Sequence, residues 1–214
     1  MTGAFITVEG GDGAGKTTQL DFIESHLHRA GITVRRTREP GGTDLGEALR
    51  EILLSGAEFE ISDDAELLMI FAAREQHLKQ IIQPSLEKGE WVLCDRFTDA
   101  TFAYQGGGRG IADSRIAVLE EWVQQGFAPD LTILLDVPLE VAQQRTAQRG
   151  QAVDRFESQN DAFKRAVRES YLSIARAAPQ RVRVVDASES IESIQDRLSA
   201  LLREFIEHFR KEAG

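Results

Sequence analysis

The chain has 214 residues, 42% of them hydrophobic and 28% charged, a composition that is ordinary for a globular protein and does not require disorder. Its length is enough for one sizeable core or for two small ones. Its net charge of −10 argues against a long polyanion as partner, so we expect no nucleic-acid binding, although a small phosphorylated ligand needs only a local positive pocket. The single cysteine, Cys94, excludes an internal disulfide and a zinc site built from several cysteines, and we expect it in the core.

Short apolar runs alternate with longer helical runs along the chain. In chain order, the pattern predicts a strand over residues 4–9, a helix over about 15–30, a strand over 33–39, helical stretches over 44–54 and 63–88, a strand over 91–95, a helix over about 113–125, a strand over 131–137, two helical stretches broken around Gly150, a strand over 182–187 and a closing helix over 191–210. This alternation is typical of a parallel sheet covered on both faces, so we predict one α/β domain over residues 1–214.

No segment has the pattern of an export signal or a membrane span. The N-terminus lacks the basic start and long apolar run of a signal peptide. The longest clearly apolar run, residues 67–73, is far shorter than the roughly 20 residues that span a bilayer. We therefore predict a cytoplasmic protein without a membrane partner.

The sequence GGDGAGKTT between the first strand and the first helix matches the nucleotide phosphate loop. Its glycines let backbone N–H groups curl around phosphates, and the following helix adds its N-terminal dipole. We expect Lys16 to reach the β- and γ-phosphates and the Thr17 hydroxyl to ligate Mg²⁺. The predicted ATP-binding residues of the loop are Gly10, Gly11, Asp12, Gly13, Ala14, Gly15, Lys16, Thr17 and Thr18.

A phosphate loop alone leaves GTPases, motor ATPases and small-molecule kinases open, although no Asn-Lys-x-Asp element for guanine is present. The segment CDRFTDATFAYQGGGRG, which starts at the end of the strand over 91–95, narrows the choice. Asp95 ends that strand, where a carboxylate can orient Mg²⁺ or its water. Arg96 follows and could bind a phosphate with both arms of its guanidinium group, the alternative being a surface ion pair with Asp95.

The motifs GGDGAGKTT, TREPGGT, CDRFTDATFAYQGGGRG and VDRFE occur in the order and spacing of bacterial thymidylate kinases, which the chain resembles over essentially its whole length. The resemblance implies the nucleoside monophosphate kinase fold, a five-stranded parallel sheet with helices on both faces. It also implies in-line transfer of the γ-phosphate of ATP to dTMP, with Mg²⁺. Members of the family usually form homodimers through packed helices. The apolar stripes over 63–88 and 113–125 could serve this role or could face the sheet.

Carried over by position, the resemblance implies a phosphate end of the dTMP site. Arg96 and Arg50 would hold the dTMP phosphate, and Glu39 would lie near that phosphate and the water of the metal ion. Asp12 would face dTMP and contact its 3′-hydroxyl, because a carboxylate aimed at the triphosphate would be repelled. A surface role for Asp12 is the alternative.

The resemblance likewise implies a base end of the site. Arg74 and Gln105 would hydrogen-bond the thymine ring, with Thr101 beside them. The family usually stacks thymine on a phenylalanine four residues before the arginine, where this chain has Ile70 followed by Phe71. Either Phe71 takes the stacking role through a local shift, or Ile70 packs on the ring.

Residues 145–157, RTAQRGQAVDRFE, resemble the lid that closes over the phosphates in this family. The phosphate loop contains no arginine, and bacterial members supply that charge from the lid, where Arg149 is the matching position. Arg145 would stay near ATP, at the adenine, and Arg155 is a second candidate in the lid. An exposed charged helix end is the alternative interpretation of Arg149.

The predicted catalytic residues are Lys16, Arg96 and Arg149, which with Mg²⁺ would offset the repulsion between two phosphates. No general base is needed, since a phosphate monoester is mostly dianionic at neutral pH. Two alternatives stay open from the sequence. One is a kinase for a different nucleoside monophosphate or for a deoxynucleoside, and the other is a nucleotide-binding switch protein without turnover.

Overall fold

The chain folds around a parallel sheet of five strands in the computed structural model, which describes residues 3–55, 60–149 and 155–212. The strands are β1 (Phe5–Glu9), β2 (Val34–Arg38), β3 (Trp91–Asp95), β4 (Leu131–Asp136) and β5 (Val182–Asp186), in the spatial order β2-β3-β1-β4-β5. All neighbouring pairs are parallel. The prediction of an α/β fold with a five-stranded parallel sheet is confirmed, and each predicted strand ends within one residue of the observed one.

Helices cover both faces of this sheet. They are α1 (Lys16–Arg29), α2 (Asp44–Ser55), α3 (Asp63–His77), α4 (Gln83–Glu87), α5 (Thr98–Thr101), α6 (Asp113–Gln124), α7 (Leu139–Arg149), α8 (Asp161–Ala177) and α9 (Ile191–Glu212). Successive side chains of β1 point to opposite faces of the sheet and pack in different cores. Ile6 and Val8 pack with α1 and α9, whereas Phe5 packs with Phe97. Cys94 is buried in the second of these cores, as predicted. Within the described residues, no helix has both the length and the apolar character needed to cross a membrane.

Two π-helical segments depart from the predicted pattern. Leu78–Ile82 interrupts the helical stretch predicted over 63–88, and Phe102–Gly108 continues α5 into a glycine run that carries no helical signal. The glycines of this run allow a close approach to α8. A Cβ on Gly107 would lie 2.9 Å from the Ala166 carbonyl oxygen, and one on Gly108 would lie 2.4 Å from the Phe163 ring.

The topology brings the loops after β1, β2 and β3 to one edge of the sheet. In the sheet, β2 and β3 lie on one side of the central β1, and β4 and β5, which follow later in the chain, lie on the other side. Ligands of open parallel sheets bind outside the carboxyl ends of the strands at such a switch point. The site is therefore expected beside the loops that contain Asp12, Glu39 and Arg96.

Candidate active site

The loop after β1 closes around the ammonium group of Lys16. Lys16 Nζ donates hydrogen bonds to the carbonyl oxygens of Gly10 and Gly11, each at 3.1 Å. Gly10 has a φ of 138°, and a Cβ there would lie 2.5 Å from the Leu135 carbonyl oxygen, so only glycine fits between the loop and β4. Burial lowers the pKa of Lys16 from its usual value. The strand, glycine loop and helix of a phosphate-binding site are all present.

Most of the predicted site residues line one cleft of about 480 Å³. They are Asp12, Gly13, Gly15, Lys16, Thr17, Thr18, Glu39, Arg50, Ile70, Arg74, Asp95, Arg96, Thr101, Gln105 and Arg145. Gly10 and Gly11 line a second cavity, and Ala14 packs in the core. Arg149 ends α7, but its side chain lies outside the described part of the chain. The fold thus brings the phosphate loop together with residues from the loops after β2 and β3 and from α3.

Arg96, which follows β3, contacts the phosphate loop after β1. Its φ of 70° lies in the left-handed region that non-glycine residues seldom adopt, a feature concentrated at functional sites. Nη2 donates to Asp12 Oδ1 at 2.8 Å, and Nη1 donates to the Gly10 carbonyl oxygen at 2.9 Å. The guanidinium group also lies over the Tyr104 ring, 4.8 Å from its centroid. Arg96 is therefore bound to the phosphate loop, in contrast to the surface ion pair with Asp95 that the sequence left open.

A buried acid behind Arg96 has no counterpart in the sequence predictions. Arg96 Nη1 donates to the Tyr171 hydroxyl at 3.2 Å, and that hydroxyl donates to Glu9 Oε2 at 2.7 Å. The other oxygen of Glu9 accepts from the Phe97 backbone N–H at 2.7 Å. Burial and then the charge of Asp99 raise the pKa of Glu9 to about 8, although Arg96 acts in the opposite direction. Glu9 thus holds the guanidinium group of Arg96 in place through the Tyr171 hydroxyl.

The loop after β2 anchors three basic side chains. Glu39 Oε2 accepts from Arg74 Nε at 2.8 Å, and Glu39 Oε1 lies 3.0 Å from His77 Nδ1. Burial would raise the pKa of Glu39, but Arg74 and His77 outweigh it and the pKa falls below its usual value. The Pro40 carbonyl oxygen accepts from Arg50 Nη1 at 2.9 Å. A lone histidine in a helical stretch carries no functional signal, which is why the sequence does not predict His77 in this group.

Arg74 presents a donor that no group in the described ranges uses. Its Nη2 donates to Thr101 Oγ1 at 2.9 Å, and its guanidinium carbon lies 4.8 and 5.0 Å from the ring centroids of Phe71 and Phe97. Among the described residues, Nη1 is buried and has no hydrogen-bond partner. An unsatisfied buried donor costs on the order of 1–3 kcal/mol. This atom therefore marks a position where an acceptor atom of a ligand would be stabilised.

Ile70, and not Phe71, reaches the cleft. Ile70 is among the lining residues, whereas Phe71 packs in a core cluster with Leu67 and Ile116. Aromatic rings also line the cleft, and they belong to Phe97, Tyr104 and Phe156, which the sequence does not single out. The geometry favours Ile70 over Phe71 as the side chain that would pack on a bound base.

Asp95 and Thr17 supply oxygen atoms at the floor of the cleft. Asp95 Oδ1 is buried and has no hydrogen-bond partner within the described residues. No group of three or more His, Cys, Asp or Glu side chains forms a metal site of its own in residues 3–55, 60–149 and 155–212. Mg²⁺ needs no such group, because it is commonly held by one or two carboxylates together with the phosphates of a nucleotide. The oxygens present therefore fit Mg²⁺ bound with a nucleotide.

The described residues of the predicted lid make several contacts with the rest of the protein, among them an edge-to-face contact between the rings of Phe156 and Tyr104. Arg145 Nη1 donates to the Ala187 carbonyl oxygen at 2.7 Å, just after β5. Arg155 Nη1 donates to a carboxylate oxygen of Glu66 on α3, and both side chains are at least partly buried. Arg155 thus pairs with an acid on α3, a contact that the sequence does not predict.

Comparisons with known proteins agree with this geometry. The thymidylate kinase family model matches residues 8–198. The chain is 57% identical over 203 residues to a thymidylate kinase of Chromohalobacter salexigens, with 94% of this chain and 96% of that one covered. It is 52% identical over 210 residues to a thymidylate kinase of Pseudomonas putida, with 98% and 100% covered. The crystal structure of thymidylate kinase from Ehrlichia chaffeensis matches with a TM-score of 0.76 at 33% identity, with 94% and 100% covered. The chain therefore belongs to the thymidylate kinase family.

Proposed function

We propose that the protein transfers the γ-phosphate of ATP to dTMP, giving ADP and dTDP. The observation that carries the proposal is the pair of hydrogen bonds from Arg96 to Asp12 and to the Gly10 carbonyl oxygen. These bonds fix a phosphate-binding side chain against the phosphate loop. A phosphate held by the loop and a second one held by Arg96 would therefore be neighbours. Membership of the thymidylate kinase family supports dTMP as the acceptor.

Charge neutralisation is the main task of the protein in this reaction. An oxygen of the dTMP phosphate attacks the γ-phosphorus, and the bond from that phosphorus to the β-phosphate oxygen breaks as ADP leaves. Two unit charges 4 Å apart repel by about 4 kcal/mol at an effective dielectric of about 20. We assign Lys16 and Arg149 to the transferred phosphate and Arg96 to the acceptor phosphate as the groups that offset this repulsion.

The dTMP site would extend from Arg96 to α3. Arg50 would add a second charge for the acceptor phosphate, and Asp12 would face the sugar. Arg74 and Gln105 would bind the edge of thymine, since Nη1 of Arg74, which no described residue accepts from, suits its 4-oxo group. Ile70 would pack on the ring, with Thr101 beside it.

Mg²⁺ would be held by the nucleotide phosphates with Thr17 and Asp95. Its chemical contribution would be to neutralise part of the phosphate charge. The buried Oδ1 of Asp95, which has no partner in the part of the chain that the structure describes, supports this assignment, because a buried carboxylate oxygen needs a hydrogen-bond donor or a cation. Arg145 would stay beside the adenosine part of ATP.

A coupled ADP-release assay with ATP and a panel of acceptors tests the proposal. We expect the highest kcat/KM with dTMP, lower values with dUMP, CMP and AMP, and no turnover of thymidine, which lacks the phosphate that Arg96 would bind. Lys16→Ala is the control for ATP-dependent turnover and should remove it. Binding of dTMP without ADP release would contradict the proposal and favour a switch protein, and a higher kcat/KM for another acceptor would contradict the assignment of dTMP.

We also propose that the protein forms a homodimer through α3 and α6. These helices pack against each other and expose Leu68, Val118 and Trp122, and the Trp122 side chain is 76% exposed. Their other faces are buried through Phe71 and Ile116, so the same helices supply both core and surface apolar residues. An exposed apolar patch is typical of a protein interface. A cytoplasmic location stays a prediction from the sequence.

A further inference from the structure

Glu66 is a buried acid at the start of α3 that accepts hydrogen bonds on both oxygens. Oε1 accepts from Gln105 Nε2 at 2.7 Å and from Arg109 Nε at 3.3 Å. Oε2 accepts from Arg109 Nη2 at 3.2 Å and from Arg155 Nη1. Glu66 has no exposed surface, so this set of donors fixes the position of its carboxylate. Both arginines pair with the carboxylate, and Oε1 also faces the amide of Gln105.

This contact determines which end of the Gln105 amide points away from Glu66. A carboxylate held by two arginines only accepts hydrogen bonds, so it selects the NH₂ end of the amide. The carbonyl end, Oε1, is then the atom that Gln105 can offer to a ligand. Gln105 lines the cleft and is itself only 2% exposed, and it lies in the π-helical segment Phe102–Gly108 that packs against α8. Its side chain has little freedom to turn over without a change at Glu66.

Arg74 supplies a hydrogen-bond donor at the end of the cleft where Gln105 supplies an acceptor. Its buried Nη1 has no partner in the described residues and can only donate, whereas Gln105 Oε1 can only accept. Pyrimidines that carry a 4-oxo group present an acceptor at O4 beside a donor at N3–H. Cytosine presents the reverse, a donor at N4 beside an acceptor at N3. The donor and acceptor of the protein are thus matched to thymine and mismatched to cytosine.

We propose that Glu66 determines the selectivity for 4-oxo pyrimidines by fixing the amide of Gln105 with its carbonyl oxygen towards the base. The inference rests on the proposed function, in which Arg74 and Gln105 face the base of the acceptor. Glu66 does not touch the base and acts as a positioning residue through Gln105. It is 39 residues from Gln105 in the chain, and only the fold brings the two together.

The variant Glu66→Gln tests the inference with a change of one atom. An amide at position 66 can either accept from Gln105 or donate to it, so the amide of Gln105 loses its fixed orientation. We expect kcat/KM for dTMP to fall about tenfold or more, because a buried polar group of the site that is mispaired with the substrate lowers kcat/KM by at least this factor. For dCMP, kcat/KM should stay level or rise. The ratio of the two values is the measured quantity, and it should fall at least about tenfold.

A double-mutant cycle separates positioning from a general structural role. If Glu66 acts through Gln105, then Glu66→Gln has no further effect on the dTMP/dCMP ratio in a Gln105→Met background. Asp64→Asn is the matched control, because Asp64 lies on the same helix as Glu66 and the same chemical change there affects only an exposed ion pair with Arg115 of α6. It should leave the ratio at the wild-type value.

The inference would be overturned if Glu66→Gln lowered kcat/KM equally for dTMP and dCMP. It would also be overturned if Glu66→Gln lowered the dTMP/dCMP ratio as much in the Gln105→Met background as in the wild-type background. If Glu66→Gln does not show a cooperative unfolding transition, Glu66→Asp replaces it. This variant keeps the charge for Arg109 and Arg155 but withdraws the carboxylate from Gln105, and the same fall in the ratio is expected. Failure of the proposed function is a separate result, since the wild-type protein would then not phosphorylate dTMP at all.

Discussion

Arg96 Nη2 lies 2.8 Å from Asp12 Oδ1, which pairs the acidic residue in the middle of the phosphate loop with the arginine after β3. Lys16 turns to the carbonyl oxygens of the loop, whereas the carboxylate of Asp12 turns to the guanidinium group of Arg96. A carboxylate aimed at a triphosphate would be repelled. The ion pair with Arg96 gives a physical reason for an acid in a loop that binds anions.

Asp12→Asn removes the charge that holds Arg96 while it keeps the shape of the side chain. We expect kcat/KM for dTMP to fall about tenfold to a hundredfold, since hydrogen bonds to charged groups contribute about 1.5–3 kcal/mol. The KM for ATP should change by less than about twofold. Steady-state kinetics with each substrate varied in turn measures both effects, and a wild-type value of kcat/KM for dTMP would show that Asp12 has only a surface role.

Arg149→Ala tests the charge that the lid would supply. We expect kcat to fall by about a thousandfold, as for other arginines that stabilise a transferred phosphoryl group, with little change in the KM for ATP. Arg165→Ala is the matched control, because Arg165 is an exposed arginine on α8 that contacts Glu140. It should retain the wild-type kcat. A near-normal kcat in Arg149→Ala would remove this residue from the catalytic set.

Glu9 should make stability depend on pH. Its pKa is about 8 in the folded protein against an ordinary value of 4.5, so between these pH values the folded state binds more protons than the unfolded chain. The free energy of unfolding contributed by Glu9 therefore decreases as pH rises through this window. Asp99, Arg96 and Tyr171 contact or face Glu9 and stay unchanged in the test variant.

Glu9→Gln removes this proton-binding group and nearly keeps its shape. Between pH 5 and pH 8, we expect the wild-type protein to lose about 3–4 kcal/mol of unfolding free energy relative to the variant, since each pKa unit corresponds to about 1.4 kcal/mol. Urea unfolding of both proteins across this pH range measures the difference. Curves that stay parallel would show that Glu9 has the same pKa in both states.

Trp122→Glu tests the dimer that α3 and α6 would form. A charge in the middle of an apolar interface is strongly disfavoured, so we expect the dimer dissociation constant to rise about a hundredfold or more. Val184→Glu is the control, because Val184 is an exposed apolar residue on β5 and not on these helices. Sedimentation measurements that show a wild-type monomer, or a dimer unaffected by Trp122→Glu, would contradict the assignment.

Sequence patterns predict the strands and loops whose conformation is determined by consecutive residues. Gly10, Lys16 and Thr17 lie within one loop, and the strand that ends at Asp95 is a continuous apolar run. The position of Arg96 follows from that strand. The strands and the phosphate loop could therefore be predicted, and the assignment of Arg96 to the acceptor phosphate stays a prediction.

Contacts between distant segments could not be predicted in the same way. Tyr171 reaches Glu9 across 162 residues, and His77 reaches Glu39 across 38 residues, without a local motif that marks either pair. The glycine run 106–108 carries no helical signal, because glycine is a poor helix former. Its role becomes clear only from the side chains and backbone of α8 that pack against it.

Transfer of radioactive phosphate from [γ-³²P]ATP is the most direct test of the central claim. With purified protein, Mg²⁺ and equal amounts of ATP and dTMP, we predict that the label appears in dTDP and that one ADP forms for each dTDP. Label that appears only as inorganic phosphate, or that stays in ATP while dTMP is bound, would contradict the account.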